Sequence, residues 1–334
     1  MYGIKLKGRA MIRKVALALL VSAVASTAKA GVSGDPNDFY VLSDAVNEVY
    51  QFDRLPAFPH VPGVYAGVLG GSYSNVFSNQ GEVGAIYPYL GAVAGTNQDF
   101  FIGGFSGLTK IDSTSGAFIQ SVGAAGLRLG PAKAPNGNLV VGGPTGVEEY
   151  NPNTGAFVRT VVGSGDGANL HAFNGNSMYV ANWYGGSGFG IKRYNFVSGA
   201  SLGADIAVPF APQEIGFGPD GALYATALYE GPGVEGLWRY DSGLNSWSQF
   251  IDVQSLAGGG PHGFTYDPVT FDCFMAFNTG EIYRFNGYTG AYIDQPNFVP
   301  TKLTDVLFKE VIPEPATIGL LALGLGFVIR RRSR

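Results

Sequence analysis

One phrase recurs along this chain of 334 residues and limits what it can fold into. A short run of β-forming residues ends in Tyr, Phe or Ile. Asn or Asp follows, then a few turn residues, Gly, and a second run. The phrase reads Ile111-Asp112-Ser113-Thr114-Ser115-Gly116-Ala117-Phe118 and returns at Tyr150 to Phe157, Tyr194 to Ala200 and Phe285 to Tyr292. Looser copies begin at Phe52-Asp53 and Tyr240-Asp241. This is hairpin chemistry: the Asn or Asp side chain caps the turn, and Gly supplies the positive φ that closes it. Each copy follows another β-rich run: Phe39 to Leu42, Phe100 to Gly103, Leu139 to Gly142, Met178 to Trp183, Leu223 to Ala227 and Cys273 to Phe277.

Positions 112, 151, 195, 241 and 286 of the repeat lie 39 to 46 residues apart. Four short strands in such a period, with no amphipathic helix between them, indicate a β-propeller. The fold class expected is therefore all-β, a propeller of six four-stranded blades. The first copy lacks an innermost strand, and the last is followed by a spare one, Leu303 to Phe308. Using that C-terminal strand as the innermost one of the first blade closes the ring and removes exposed edges. A seven-blade alternative treats Val64 to Phe77 as an eroded blade. The longer first interval places an insertion between Pro56 and Gly81.

Both ends carry processing signals. Arg13 and Lys14 precede an apolar run from Val15 to Ala25, and Ala28-Lys29-Ala30 offers small residues for cleavage. Residues 1–30 therefore read as a secretory signal peptide, started at Met1 or at Met11. At the other end come Pro313-Glu314-Pro315, an apolar run from Ile318 to Ile329, and Arg330, Arg331 and Arg332. The two prolines lack N–H donors and mark the end of the folded body. The run is helix-permissive, and the arginines would hold its end on the cytoplasmic side of a bilayer. Residues 311–334 resemble the PEP-CTERM sorting signal of biofilm-forming Gram-negative bacteria. The resemblance implies an exosortase-type membrane protease as partner, and cleavage near the triplet. A plain anchor is the alternative. However, Ala316 to Ile329 is only 14 residues, short of the roughly 20 needed to span comfortably.

Removing the two ends sharpens the charge. Residues 31–310 hold 11 basic and 24 acidic side chains, a net of −13. That surface repels phosphates and anionic headgroups, which excludes nucleic acid as a partner and limits membrane contact to the tail before processing. Cys273 is the only cysteine, so the fold has no intramolecular disulfide, and this residue reads as a small buried strand residue.

Chemistry is sparse. There is no G-x-S-x-G elbow, phosphate loop or metal-type His or Cys spacing. Glu148 and Glu149 are adjacent on one strand and point to opposite faces, so they are not a close dyad. Aligning the presumed innermost strands brings Glu82, Arg128, His171, Gln213, His262 and Asp305 to one register, 42 to 49 residues apart. Such a ring at the channel mouth would take a polar ligand or a divalent cation, with its histidines titrating near neutral pH. No other cofactor is expected. His60 lies in the loop from Pro56 to Pro62, outside this register.

Gly218-Pro219-Asp220-Gly221-Ala222-Leu223-Tyr224 and Pro261-His262-Gly263-Phe264 resemble phrases of NHL-type and gluconolactonase-like propellers. In lactonase-like relatives a metal is held by Glu, Asn and Asp at the channel mouth, and no complete set matches here. In streptogramin-lyase relatives a His-Gly pair acts in catalysis, and His262-Gly263 is its weak counterpart. The expected function is an exported propeller that binds polysaccharide or envelope proteins, or serves as scaffold, in the envelope or extracellular matrix. A secreted hydrolase or lyase working at the channel is the alternative.

Overall fold

The computed structural model describes residues 39–43, 48–53, 64–68, 92–94, 99–104, 107–112, 118–123, 128–143, 145–163, 170–182, 190–228, 233–256, 260–268, 270–298, 303 and 305–308. The signal peptide, the insertion span other than residues 64–68, and the apolar helix expected in the tail lie outside these residues. Among the described residues no helix is long and apolar enough to cross a membrane.

The chain is an all-β propeller. Its described strands form six four-stranded sheets. The first strands are β1 (Phe39–Ser43), β2 (Glu48–Asp53) and β3 (Val64–Val68). Then come β4 (Ala92–Ala94), β5 (Asp99–Gly104), β6 (Gly107–Asp112) and β7 (Phe118–Val122). The next sheet holds β8 (Leu129–Lys133), β9 (Leu139–Gly143), β10 (Gly146–Tyr150) and β11 (Phe157–Gly163). It is followed by β12 (Leu170–Asn174), β13 (Ser177–Asn182), β14 (Gly190–Asn195) and β15 (Ile206–Ala207). The last two sets are β16 (Pro212–Phe217), β17 (Leu223–Ala227), β18 (Gly236–Asp241) and β19 (Ser246–Asp252), then β20 (Pro261–Tyr266), β21 (Cys273–Phe277), β22 (Glu281–Phe285) and β23 (Tyr292–Phe298).

Five sheets are thus contiguous blades of four consecutive strands. The remaining sheet is a composite in the order β24-β1-β2-β3, where β24 (Asp305–Phe308) comes from the far end of the chain. Six blades were expected, the first closed by the C-terminal strand; five continuous blades are seen beside the composite sheet. The seven-blade alternative fails locally, because Val64–Val68 pairs with β2 as the outermost strand of the composite sheet.

The repeated phrase folds for the expected reason. The Asn151 side chain accepts hydrogen bonds from the Asn153 and Thr154 amides, and Asn286 accepts them from Tyr288 and Thr289. Gly155, Gly199 and Gly290 close these turns at φ 70, 72 and 71. Two turns lack the glycine. Asn245 takes the same place after Asp241 at φ 50, and in the β20–β21 hairpin of the last blade Phe271 follows Asp267 at φ 61. A bulky residue at positive φ is strained, and here Asp267 compensates by accepting from the Thr270 hydroxyl at 2.8 Å.

The turn glycines do a second job. A Cβ on Gly199 would press on the Val161 carbonyl of the preceding blade, and one on Gly290 on the Phe250 carbonyl, both well under 3.0 Å. Each outer hairpin therefore seats directly on the blade before it.

Cores lie between blades. Val140 and Val147 pack with Met178 and Val180 of the next blade, and Leu237 and Ile251 pack with Phe264 and Met275 of theirs. Val41 and Val306 of the composite sheet join Phe274 and Ile282. A middle strand covered on both faces has no polar side to show, so β17 and β21 are buried at every position. Cys273 is one of these buried residues, and burial pushes its thiol pKa well up.

Candidate functional site

The innermost strands meet in a ring. β24 packs beside β4, β4 beside β8, β8 beside β12, β12 beside β16, β16 beside β20, and β20 returns to β24. His171 lies on β12, Gln213 on β16, His262 on β20 and Asp305 on β24. Arg128 immediately precedes β8 and bridges to Gly104. Glu82 lies outside the described residues. The innermost strand seen in that blade is β4, where Ala92 pairs with Ile102 as His171 pairs with Val180.

Their surroundings differ. The Arg128 guanidinium reaches outward to Glu148 on the third strand, at 3.1 Å, and to the Tyr150 hydroxyl at 3.4 Å. That hydroxyl donates to the other side of the network, the Glu148 carboxylate, at 2.6 Å. Burial, and then this bond to Glu148, raises the Tyr150 pKa. Arg128 is therefore engaged in bracing its own blade.

His171 Nδ1 lies 2.7 Å from the Gly130 carbonyl on β8, which ties two blades together. Its Nε2 is buried with no hydrogen-bond partner among the described residues. Burial pushes the His171 pKa down to about 4, against a smaller upward pull from the Gly130 bond. The ring is then neutral at physiological pH, which corrects the expectation of titration near neutrality for this histidine. Gln213 donates to Ala211 O at 3.3 Å, and its Oε1 is likewise unpaired.

Sequence alignment misses Glu214. Its Oε2 accepts from the Phe264 amide at 2.5 Å. Both Glu214 Oε2 and Asp305 Oδ1 lie 3.0 Å from the point that a Cβ on Gly263 would occupy, so they are no more than twice that apart. Asp305 Oδ1 also accepts from the Val306 amide at 2.7 Å. Burial and then the Asp305 charge raise the Glu214 pKa well above the ordinary carboxylate range. Glu214 keeps part of its surface accessible although protein surrounds it closely.

The reason it was missed is geometric. The pairing register shifts between Pro212 and Ile215, between Pro261 and Gly263, and between Leu129 and Ala132. A bulge adds one residue and re-aims its neighbours, so equal spacing in sequence no longer selects equal direction at the axis. Among the described residues no group of three or more His, Cys, Asp or Glu side chains could hold a metal ion.

The adjacent pair Glu148-Glu149 does part to opposite faces. Glu148 meets Arg128, while Glu149 accepts from the Asn136 and Asn138 amides and from Arg159 Nε. These bonds overcome the upward effect of burial and hold the Glu149 carboxyl below its usual range.

No curated protein matches this chain in sequence. Among solved structures, the chain is similar to the extracellular domain of a protein from B. thetaiotaomicron described as a one component system, at 17% identity and TM-score 0.45. A second structure of an extracellular domain from that organism, described as a hybrid two component system, matches at 16% identity and TM-score 0.45. In both cases 65% of this chain aligns, spanning 29% of the other chain's length. A chain of a Mitotic Checkpoint Complex matches at 14% identity and TM-score 0.47, with 65% of this chain and 66% of that one covered. These likenesses concern fold alone and carry no functional argument. The sequence comparison is narrower and more specific: residues 311–332 match the PEP-CTERM protein-sorting motif, which implies exosortase-dependent export of this β-propeller protein.

Proposed function

We propose that the exported propeller is a non-catalytic binding or scaffold protein of the cell envelope or extracellular polysaccharide matrix. The observation that carries this reading is the sorting motif at 311–332 behind a propeller body. In this reading the composite sheet counts as the sixth blade, closed by β24. The protein passes through the inner membrane, is held briefly by its tail, and is processed by the exosortase. Polysaccharide or envelope proteins are its partners outside, and the net charge of −13 on residues 31–310 disfavours nucleic acid. Two ring positions support a passive channel: Arg128 is committed to Glu148, and His171 to Gly130 O.

The test is an array of matrix polysaccharides probed with mature protein from the producing cell, with product analysis in parallel. Binding without chemical change is expected. New reducing ends or unsaturated products would overturn the reading.

A second reading, a secreted hydrolase or lyase, rests on the Glu214–Asp305 pair beside His262-Gly263. Glu214, whose pKa is raised by burial and then by the Asp305 charge, beside a second carboxyl group is a pairing that acid–base chemistry uses. Turnover lost in Glu214→Gln with binding retained would favour it. A divalent cation retained on purification would also favour it.

A further inference from the structure

One blade departs from its siblings in charge order. Two residues before the turn Asn or Asp, the third strand carries Lys110, Arg193, Arg239 and Arg284, but Glu149 in the blade of β8 to β11. In the last blade Arg284 on the third strand pairs with Asp294 on the fourth at 2.5 Å. Here the pair is reversed: Glu149 on the third strand meets Arg159 on the fourth at 2.6 Å. The reversal has a steric result. The short acid withdraws inward and is 1% exposed. The long cation sits outside and reaches the next blade, donating to Phe196 O at 2.6 Å and Val197 O at 2.7 Å.

A cavity of about 420 Å³ lies under that reach, between this blade and the next. Its size is within the roughly 300–1,000 Å³ of small-ligand sites. Its walls hold unused hydrogen-bonding capacity. A guanidinium has five N–H donors, and three of those on Arg159 are taken by Glu149, Phe196 and Val197. Asn138 donates to Glu149, and its side-chain oxygen has no partner among the described residues. Asn176 also lines the cavity, and its side-chain amide has no hydrogen-bond partner among the described residues. Val158 and Val197, both exposed hydrophobics, supply apolar wall between these groups.

We infer that this cavity binds one unit of a neutral, hydroxyl-rich saccharide, a site that rests on the binding reading above. Donors on Arg159 and Asn176 and acceptors on Asn138 and Asn176 line it, as hydroxyl groups require, and the valines match the C–H faces of a sugar ring. The Glu149–Arg159 pair cancels its own charge. The net −13 of residues 31–310 repels acidic sugars and phosphorylated ligands.

The test uses mature protein and calorimetric titration with cellobiose, mannobiose, N,N′-diacetylchitobiose, glucuronic acid and a short uncharged peptide. Saturable binding of at least one neutral disaccharide is expected. Val158→Trp fills the cavity from an exposed position, and Asn176→Ala removes a side-chain amide from its wall. Each should weaken binding by about tenfold or more, the loss of one or two hydrogen bonds or their equivalent, at an unchanged melting temperature. Glu149→Gln is a further probe, and the two exposed variants keep the test sound if that one fails to fold. Equal affinity in Val158→Trp and the unmodified protein overturns the inference, as does preference for glucuronic acid or the peptide. If matrix polysaccharide binds on the array while no disaccharide uses this cavity, the cavity site is wrong and the wider binding reading stands. Absence of all glycan binding defeats both.

Discussion

Replacing Gly199 by Ala should cost far more than replacing Gly137 by Ala, although both glycines sit at positive φ. Their φ values are 72 and 82, so the backbone penalty is nearly shared. An alanine there loses about 1–2 kcal/mol to the left-handed conformation, partly offset by about 0.4–1 kcal/mol from a less free unfolded chain. The surroundings differ sharply. A Cβ at 137 meets nothing within 4 Å, whereas one at 199 collides with the Val161 carbonyl of the preceding blade. That atom is backbone in a paired strand and cannot swing aside. Relief requires the hairpin to lift, which disturbs the interface where Val161 packs with Met178, Tyr194 and Phe196. Overpacking of this kind costs about 1–3 kcal/mol. The expected totals are about 1 kcal/mol for Gly137→Ala and about 2–4 kcal/mol for Gly199→Ala. Urea denaturation at neutral pH measures both. Costs that agree within about 0.5 kcal/mol would refute the seating of each hairpin on its neighbour.

Three further outcomes follow from the ring and its closure. Glu214 has a raised pKa in the folded state, so the fold holds its proton more tightly than the unfolded chain does. Its contribution to stability is then present below the ordinary value of 4.5 and is lost as pH rises through the folded value. Glu214→Gln should raise stability at pH 7 and flatten the pH dependence above 4.5, and an unchanged slope in thermal melts would contradict this. His171 has the opposite sign: its pKa is down at about 4, so its contribution is present above 6.5 and is lost on acidification toward 4. NMR titration of its ring should give a midpoint near 4, and one near 6.5 would show an open, solvated imidazole. Truncation after Phe298 removes the pairing of β24 with β1 and the buried Leu303 and Val306. Those two side chains alone are worth about 1.5–3 kcal/mol each, so the domain should melt far lower than one ending at Glu310, and equal melting temperatures would argue against closure.

The blade framework was legible because its signals are local. Asn151, Asn195 and Asn286 cap turns through their own side chains, and Leu223–Ala227 and Cys273–Phe277 appear as strands with the boundaries read from sequence. The C-terminal strand was legible too, as an unpaired β-run facing a blade short of one. The channel was not. Three inner strands carry register shifts, and each displaces the side chain that equal spacing selects. Glu214 was therefore overlooked beside Gln213. The ion-pair partner of Arg128, Glu148, 20 positions away, was invisible in the repeat. The cavity under Arg159 left one trace, a glutamate where every sibling strand bears Lys or Arg apart from Gln51 in the looser first copy. A charge reversal within a repeat is readable; the space it opens is not.

Export with tail processing is what the sorting motif requires of this protein. Intact-mass spectrometry of the mature protein from the producing cell tests it directly. The expected mass starts near Gly31 and lacks Arg330 to Arg334, as the signal peptide read at residues 1–30 and the sorting motif at 311–332 require. A matured pool that still carries those arginines would contradict the sorting of this propeller by its tail.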